Sequence, residues 1–439
     1  MSADPTMDDS AGHRTRTVAA LGSAQTLAWA SSYYLPAMLA APISRDLGVS
    51  APTVFAAFSV ALAVSALAGP GAGRAIDQWG GRPVLVATNL VFALGLAALG
   101  LAQGPLGLFA AWIVLGFAMG SGLYEAAFAT LVRLYGSGSR NAITGITLIA
   151  GFASTVGWPL TTLLEGELGW RGACFAWAGL HLALGIPLNW SLPRAAPAGR
   201  PAQAVVPPAS RGSPDSAGSP GPQATQTGGT SPGSHAPQAS AATRAPPEPE
   251  GSRRAALLLS IVFAVTLFVS TAMAAHLPQL VMAGGATLAT AVAVGTLVGP
   301  AQVAGRLLEF GLLRHIHPLL SARLAALMHP AGAAALALAG APGAAAFALL
   351  HGAGNGILTI AKGTLPLVLF GPQGYGARQG LMMFPARIAQ ALAPWLFGLC
   401  LVRWGSATLW LSSGLALAAF GALMLLRREG RTGHAGGAA

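Results

Sequence analysis

Charge is what this sequence has least of. Asp, Glu, Lys and Arg make up 8% of its 439 residues, while hydrophobic residues make up 54%. A soluble domain carries about 25% charged residues. A water-exposed surface so short of charge would be left with large apolar patches and would aggregate. The scarcity excludes an ordinary soluble fold and leaves lipid as the solvent. Lysine is nearly absent: Lys362 stands alone against 23 arginines. Cysteine is limited to Cys174 and Cys400, both inside apolar runs. That placement argues against a disulfide or a thiol metal site and for small packing residues. No phosphate-cradling glycine loop with Lys and Ser/Thr is present, so ATP-driven pumping has no support. No catalytic triad, redox motif or histidine pair at ligand spacing on one helix face stands out, and no enzyme activity, cofactor or metal is expected. His315 and His317 are the nearest approach to a metal hint, while His181, His276, His329 and His351 read as packing or interface residues. Residues 1–16 lack the layout of a signal peptide, so the first apolar run is expected to be retained.

What the sequence does have is long apolar runs. In hydrocarbon every backbone polar group must be bonded internally, so only helices and closed barrels cross a bilayer. A barrel would show alternating segments of about 10 residues. Here the runs are continuous and of helix length, about 20 residues or more. They lie near 17–41, 51–72, 84–103, 106–133, 142–164 and 171–191, then near 255–277, 286–307, 319–340, 343–370, 380–403 and 405–427. The segment 193–254 is rich in Pro, Ala, Gly, Ser and Thr and cannot bury enough apolar surface to fold alone. The expectation is an all-α membrane protein of twelve spans in two pseudo-symmetric six-helix bundles, 17–192 and 255–428. Tails at 1–16 and 429–439 and a disordered linker at 193–254 complete it.

Alternating the spans from a cytoplasmic N-terminus places 19 of the 24 basic residues inside. Only Arg45, Arg171 and Arg403 fall outside, and Lys362 and Arg387 lie within spans. This bias follows the positive-inside rule, puts both termini and the linker in the cytoplasm, and accounts for the net charge of +11 without nucleic acid. The halves also repeat. Gly120–Leu131 and Gly354–Leu365 share five of twelve positions at an offset of 234, and Gly73–Asp77 resembles Gly305–Glu309 at 232. Nearly equal offsets imply one alignment, with repeats of the same orientation about an axis along the membrane normal.

After the second run the chain reads Gly73-Arg-Ala-Ile-Asp77-Gln-Trp-Gly80-Gly81-Arg82. This resembles the signature loop of the major facilitator superfamily, G-x-x-x-D-R-x-G-R-R. Gly73, Asp77, Gly80 and Arg82 match; Gln78 and Gly81 stand where basic residues are usual. The resemblance implies that Asp77 and Arg82, with Arg306 and Glu309 of the degenerate second copy, belong to a gating loop that latches the halves on the cytoplasmic side. It further implies that the first, fourth, seventh and tenth helices line a central cavity. Gly145, Gly151, Gly157 and Pro159 resemble the Gly-Pro motif of family exporters, though Trp158 splits the pair and close helix packing explains them equally. The run from Trp29 to Gly48 is similar to members that carry organic acids.

Ionisable groups in hydrocarbon are costly and mark function by default. Glu125, Lys362 and Arg387 each fall about 11–12 Å from the inner end of their helices at 1.5 Å per residue. One reading has Lys362 and Arg387 attract an anion while Glu125 carries a proton or exchanges partners with Lys362. The other has Glu125 and Lys362 neutralise each other, or a neighbour, structurally. Tyr124, Asn355, Gln25, Tyr33 and Tyr34 are further candidates for the substrate or coupling site. Adjacent helical residues point apart, so at most one of the two tyrosines is expected to face the cavity. The function expected is secondary transport by alternating access of a small solute, an organic anion taken up with protons. The alternatives are a proton-antiport exporter and, from another class, a non-transporting sensor. The chain is expected to be a monomer in the inner membrane.

Overall fold

The computed structural model describes residues 5–194, 250–312, 316–370 and 375–426. All regular structure in them is helical. The first half comprises α1 (Pro5–Ala30), α2 (Leu35–Leu47), α3 (Ala51–Trp79), α4 (Gly81–Leu101), α5 (Pro105–Gly122), α6 (Tyr124–Tyr135), α7 (Arg140–Ala150), α8 (Ala153–Leu180) and α9 (Ile186–Trp190). The second comprises α10 (Glu250–Ala283), α11 (Leu288–Thr296), α12 (Val298–Gly311), α13 (Pro318–Ala339), α14 (Ala344–Phe370), α15 (Tyr375–Trp404) and α16 (Thr408–Leu425).

Nine helical stretches among the described residues are long and apolar enough to cross a bilayer. Asn141–Trp190 with 50 residues and Leu381–Leu425 with 45 are long enough to cross twice, since one crossing takes about 20 residues. Each turns at a glycine of positive φ, Gly169 at 68° and Gly405 at 55°, a conformation glycine adopts at no steric cost. The broken rod α1–α2 supplies the remaining crossing, giving six spans in each half. Leucines such as Leu94, Leu106 and Leu338 point outward into what must be lipid. Residues 195–249 and 427–439, which hold nearly all of the expected linker and the second tail, lie outside the described residues.

Two boundaries differ from expectation. α1 starts at Pro5 rather than 17, and α10 at Glu250 rather than 255. Both helices run past the apolar stretch as far as the described residues reach, because backbone bonding and not hydrophobicity sets a helix's extent.

The apolar cores show how the halves meet. Call the end holding Arg74, Arg82 and Arg133 the arginine-rich end. Near it each half has its own core: Leu21, Ile76, Leu85 and Leu131 in the first, Leu259, Phe263, Leu319 and Leu423 in the second. Towards the opposite end the cores are shared. Ala274 and Ala275 of α10 join Phe55, Phe58 and Trp112, and Trp158 of α8 joins Met273, Val294 and Phe347. The halves share apolar cores towards one end and keep separate ones at the other.

Candidate functional site

Between the separated ends lies a cavity of about 590 Å³. Its lining sits at mid-depth and in the arginine-rich half, because four rods are interrupted, at 31–34, 123, 151–152 and 297. The first is interrupted between Ala30 and Leu35. Ser31 and Ser32 hydroxyls donate to the carbonyls of Leu27 and Ala28 at 2.8 and 2.6 Å, and Tyr34 N–H reaches back five residues to Trp29 O at 3.1 Å. Such a π-type step widens the helix and re-aims its side chains. As a result Tyr33 and Tyr34 both line the cavity. The expectation that only one would do so assumed regular helical geometry, which the segment does not have. Tyr33 also bonds Thr271 of α10 through its hydroxyl at 2.7 Å, and Trp158 Nε1 donates to Tyr34 O at 3.1 Å.

The fourth rod breaks at Leu123, whose backbone is extended. Glu125 therefore stands in the first turn of a new helix, where unbonded N–H groups and the helix dipole favour a carboxylate. Trp29, Tyr124 and Phe128 line up with it. Trp29 lies 4.9 Å from Tyr33 and 4.8 Å from Tyr124 between ring centroids, and Tyr124 stacks on Phe128 at 5.3 Å. The first half thus offers an aromatic wall.

The second half offers polar and charged groups: Gln302, Asn355, Thr359, Lys362, Arg387 and Gln390. Arg387 pairs with Glu125 across the gap between the halves and donates to Gln390 Oε1 at 3.0 Å. The side chains of Arg387 and Glu125 are 44% and 56% exposed. An ion pair this exposed contributes about 0–1 kcal/mol, so it can be exchanged for another partner at little cost. Arg387, not Lys362, is therefore the contact of Glu125, because the break at Leu123 turns the carboxylate towards α15. Lys362 is half-buried in the same cavity.

Other candidates sit elsewhere. Gln25 is buried away from the cavity and donates to Gly122 O at 2.7 Å. Arg306 and Glu309 are not in a loop but within α12. Arg306 donates to Thr147 O at 2.8 Å and lies beside the Tyr124 hydroxyl, while Glu309 is buried and accepts from Ser321. Of the signature segment only Gly80 lies between helices: Arg82, in α4, lies 4.6 Å over the Trp190 ring, and Asp77, in the last turn of α3, is exposed. Among the described residues no hydrogen bond or ion pair joins Asp77 or Arg82 to the second half; a bond that joins the halves on this side is that of Arg306. His315 is outside the described residues; His317 Nδ1 accepts from Leu319 N–H at 3.2 Å and caps α13. Gly145, Gly151 and Gly157 meet Val18, Val303 and Ala30 closely, which is a packing role.

The cavity also takes in Phe128, Gln302 and Gln390, which sequence reasoning misses. Two signals point to them: Phe128 is the repeat counterpart of Lys362, and Gln390 lies three residues beyond Arg387 on the same helix face.

The sequence profile of the Major Facilitator Superfamily matches residues 21–361, well over half of the chain. No curated protein sequence matches significantly. Among solved structures, the nucleoside transporter NupG, in a single-substitution variant, superposes with a TM-score of 0.70 at 11% identity, over 94% of this chain and 99% of that one. A bacterial homologue of the human lysosomal transporter Spinster, inward-facing and occupied, gives 0.61 at 13% identity, over 96% and 95%. The same protein, inward-facing and unoccupied, gives 0.60 at 14% over the same shares. Likeness at these identities speaks for the fold alone. Twelve spans around a central cavity, the signature loop and the profile match together place this chain in the Major Facilitator Superfamily, as a multi-pass membrane transporter and not an enzyme.

Proposed function

We propose that the protein moves an amphipathic organic anion by alternating access, coupled to protons. The observation that carries this is the make-up of the cavity. It holds two cations, Lys362 and Arg387, against one carboxylate, Glu125, and sets them opposite an aromatic wall. A carboxylate ligand would take Arg387 from Glu125, and its apolar body would lie against Trp29, Tyr124 and Phe128. A ligand shifts a two-state equilibrium only by its differential affinity for the states, and this exchange of partners supplies one. With the arginine-rich end in the cytoplasm, the conformation described is inward-facing, in the inner membrane, and the working unit is a monomer.

The test is a thermal-shift panel on the purified protein, with benzoate, phenylpyruvate and hexanoate against the matching amides and amines. At least one carboxylate is expected to raise the melting temperature, and Lys362→Gln and Arg387→Gln are expected to abolish that rise. Stabilisation by amines or amides alone would overturn the reading. Uptake of the best ligand into liposomes with and without a pH gradient then tests the coupling.

A further inference from the structure

A second polar cluster lies behind the cavity, inside the second half. His329 of α13 and His351 of α14 are both buried and face each other, Nδ1 to Nδ1, at 3.0 Å. His329 Nε2 meets Ser412 Oγ of α16 at 3.0 Å, and Ser412 directs its own proton to Leu409 O at 2.9 Å. The bonding then orders the protons. Ser412 Oγ accepts from His329 Nε2–H, which leaves His329 Nδ1 to accept from His351 Nδ1–H. His351 Nε2 is left as a bare lone pair, and no group among the described residues bonds it.

That ring lines two small spaces. One, of about 20 Å³, is shared with Tyr33, Tyr34, Ser270, Gln302 and Asn355, all of which also line the main cavity. It has room for one water and the two to four polar partners a buried water needs. The other, of about 40 Å³, is mainly apolar and runs along α10 past Thr266 and Ser270. No carboxylate, lysine or arginine lines either space. α10, α12 and α16 present no titratable group to the pair, and the first half presents only Tyr33 and Tyr34. Lys362, Arg387 and Glu125 remain in the main cavity.

We propose that the His351–His329 pair is the proton-binding site of this transporter, filled from the substrate cavity past Asn355 and Ser270. The step is a plain proton transfer. A hydronium in the cavity yields its proton to His351 Nε2 and leaves water, and the new charge is shared along the Nδ1–Nδ1 contact. The imidazole suits this because its free nitrogen lone pair can take a proton while the other nitrogen keeps its bond. A positive charge gained beside a cavity of positive excess would favour an anion there only in part, so the pair acts chiefly through helix packing: the imidazolium must now donate from both of its nitrogens. This alters the fit of α13, α14 and α16, the last of which faces α10. The inference rests on the transport reading, but its test does not need a substrate.

Proteoliposomes on a solid-supported membrane are stepped from about pH 7 down to about pH 4, far enough to reach an imidazole whose charged form burial disfavours, with protons as the only probe. A transient charge displacement is expected in the native chain, lost in His351→Asn and kept in His181→Asn. Loss in Glu125→Gln with retention in His351→Asn would overturn the proposal, as would the absence of a transient in the native chain. If His351→Asn does not fold, ¹⁵N spectra of the histidine-labelled native chain decide. A buried imidazole that gains a proton on Nε2 as pH falls supports the site, and buried rings that stay neutral throughout overturn it. Failure here would leave anion binding at Lys362 and Arg387 untouched, and failure to find a substrate would leave the transient untouched.

Discussion

At Gly81 an added Cβ would lie 2.0 Å from Thr130 Oγ1 and 2.2 Å from its methyl. The start of α4 is pressed against α6 there, and no side chain fits between them. This explains why the chain departs from the basic residue usual at that place in the signature loop: packing outranks the motif. Gly81→Arg, which brings the loop nearer to the family form, is expected to destabilise the protein by about 1–3 kcal/mol through overpacking. It would be read as a lower melting temperature in detergent, partly restored by Thr130→Gly. A Gly81→Arg protein as stable as the native one would refute the packing account. The charged candidates are legible in the sequence for the opposite reason. Glu125, Lys362 and Arg387 interrupt apolar runs, and the cost of burying a charge in hydrocarbon makes each such interruption conspicuous. Gln25 is not separable from them in that way. A neutral amide in a span gives the same signal whether it meets a ligand or a carbonyl, and here it meets Gly122 O.

At the scale of elements, that amide fixes a break. α5 ends at Gly122, Leu123 is extended, and α6 restarts at Tyr124. Gln25 Nε2 from the first rod bonds the Gly122 carbonyl at the interruption. The seat of Glu125 thus depends on a side chain of another rod. Gln25→Leu leaves a buried carbonyl with that donor removed and is expected to cost about 1–3 kcal/mol, again as a lower melting temperature. It should also weaken the proposed carboxylate binding, because Glu125 and the Tyr124–Phe128 stack lose their fixed position. Unchanged stability and unchanged ligand shift would count against it. The breaks themselves are poorly legible in the sequence. Hydropathy reports length and not continuity, so 17–41 reads as one helix although it is two. The small residues Gly120, Ser121 and Gly122 before Leu123 are the visible trace of the other break, but they belong equally to the repeat signature. Broken rods around a mid-depth cavity fit the way transporters build ligand sites from discontinuous helices.

At the scale of the molecule, the fold can be read from the sequence and the conformation cannot. Nearly equal repeat offsets and one-sided arginines constrain topology strongly, since the alternatives waste buried charge or break the symmetry. Two access states share one sequence and differ by a few kcal/mol, so no pattern marks which is occupied. Contacts at the arginine-poor end carry that information instead. Ser59 Oγ of α3 accepts from Trp395 N–H of α15 at 3.2 Å. His276 lies 3.9 Å from Phe55 between ring centroids and meets Pro394 O at 2.8 Å. Alternating access requires this seam to part. In a Cys174→Ala, Cys400→Ala background, Ser59→Cys with Trp395→Cys places two thiols across it. Ser270→Cys, on the cavity wall, serves as reporter. Before oxidation the reporter is expected to react with an impermeant maleimide from either side of the membrane. After oxidation it should react only from the arginine-rich side, and reductant should restore both. Labelling from the arginine-poor side that persists in the cross-linked protein would mean that the seam is not the gate, and that the halves part somewhere other than between α3 and α15.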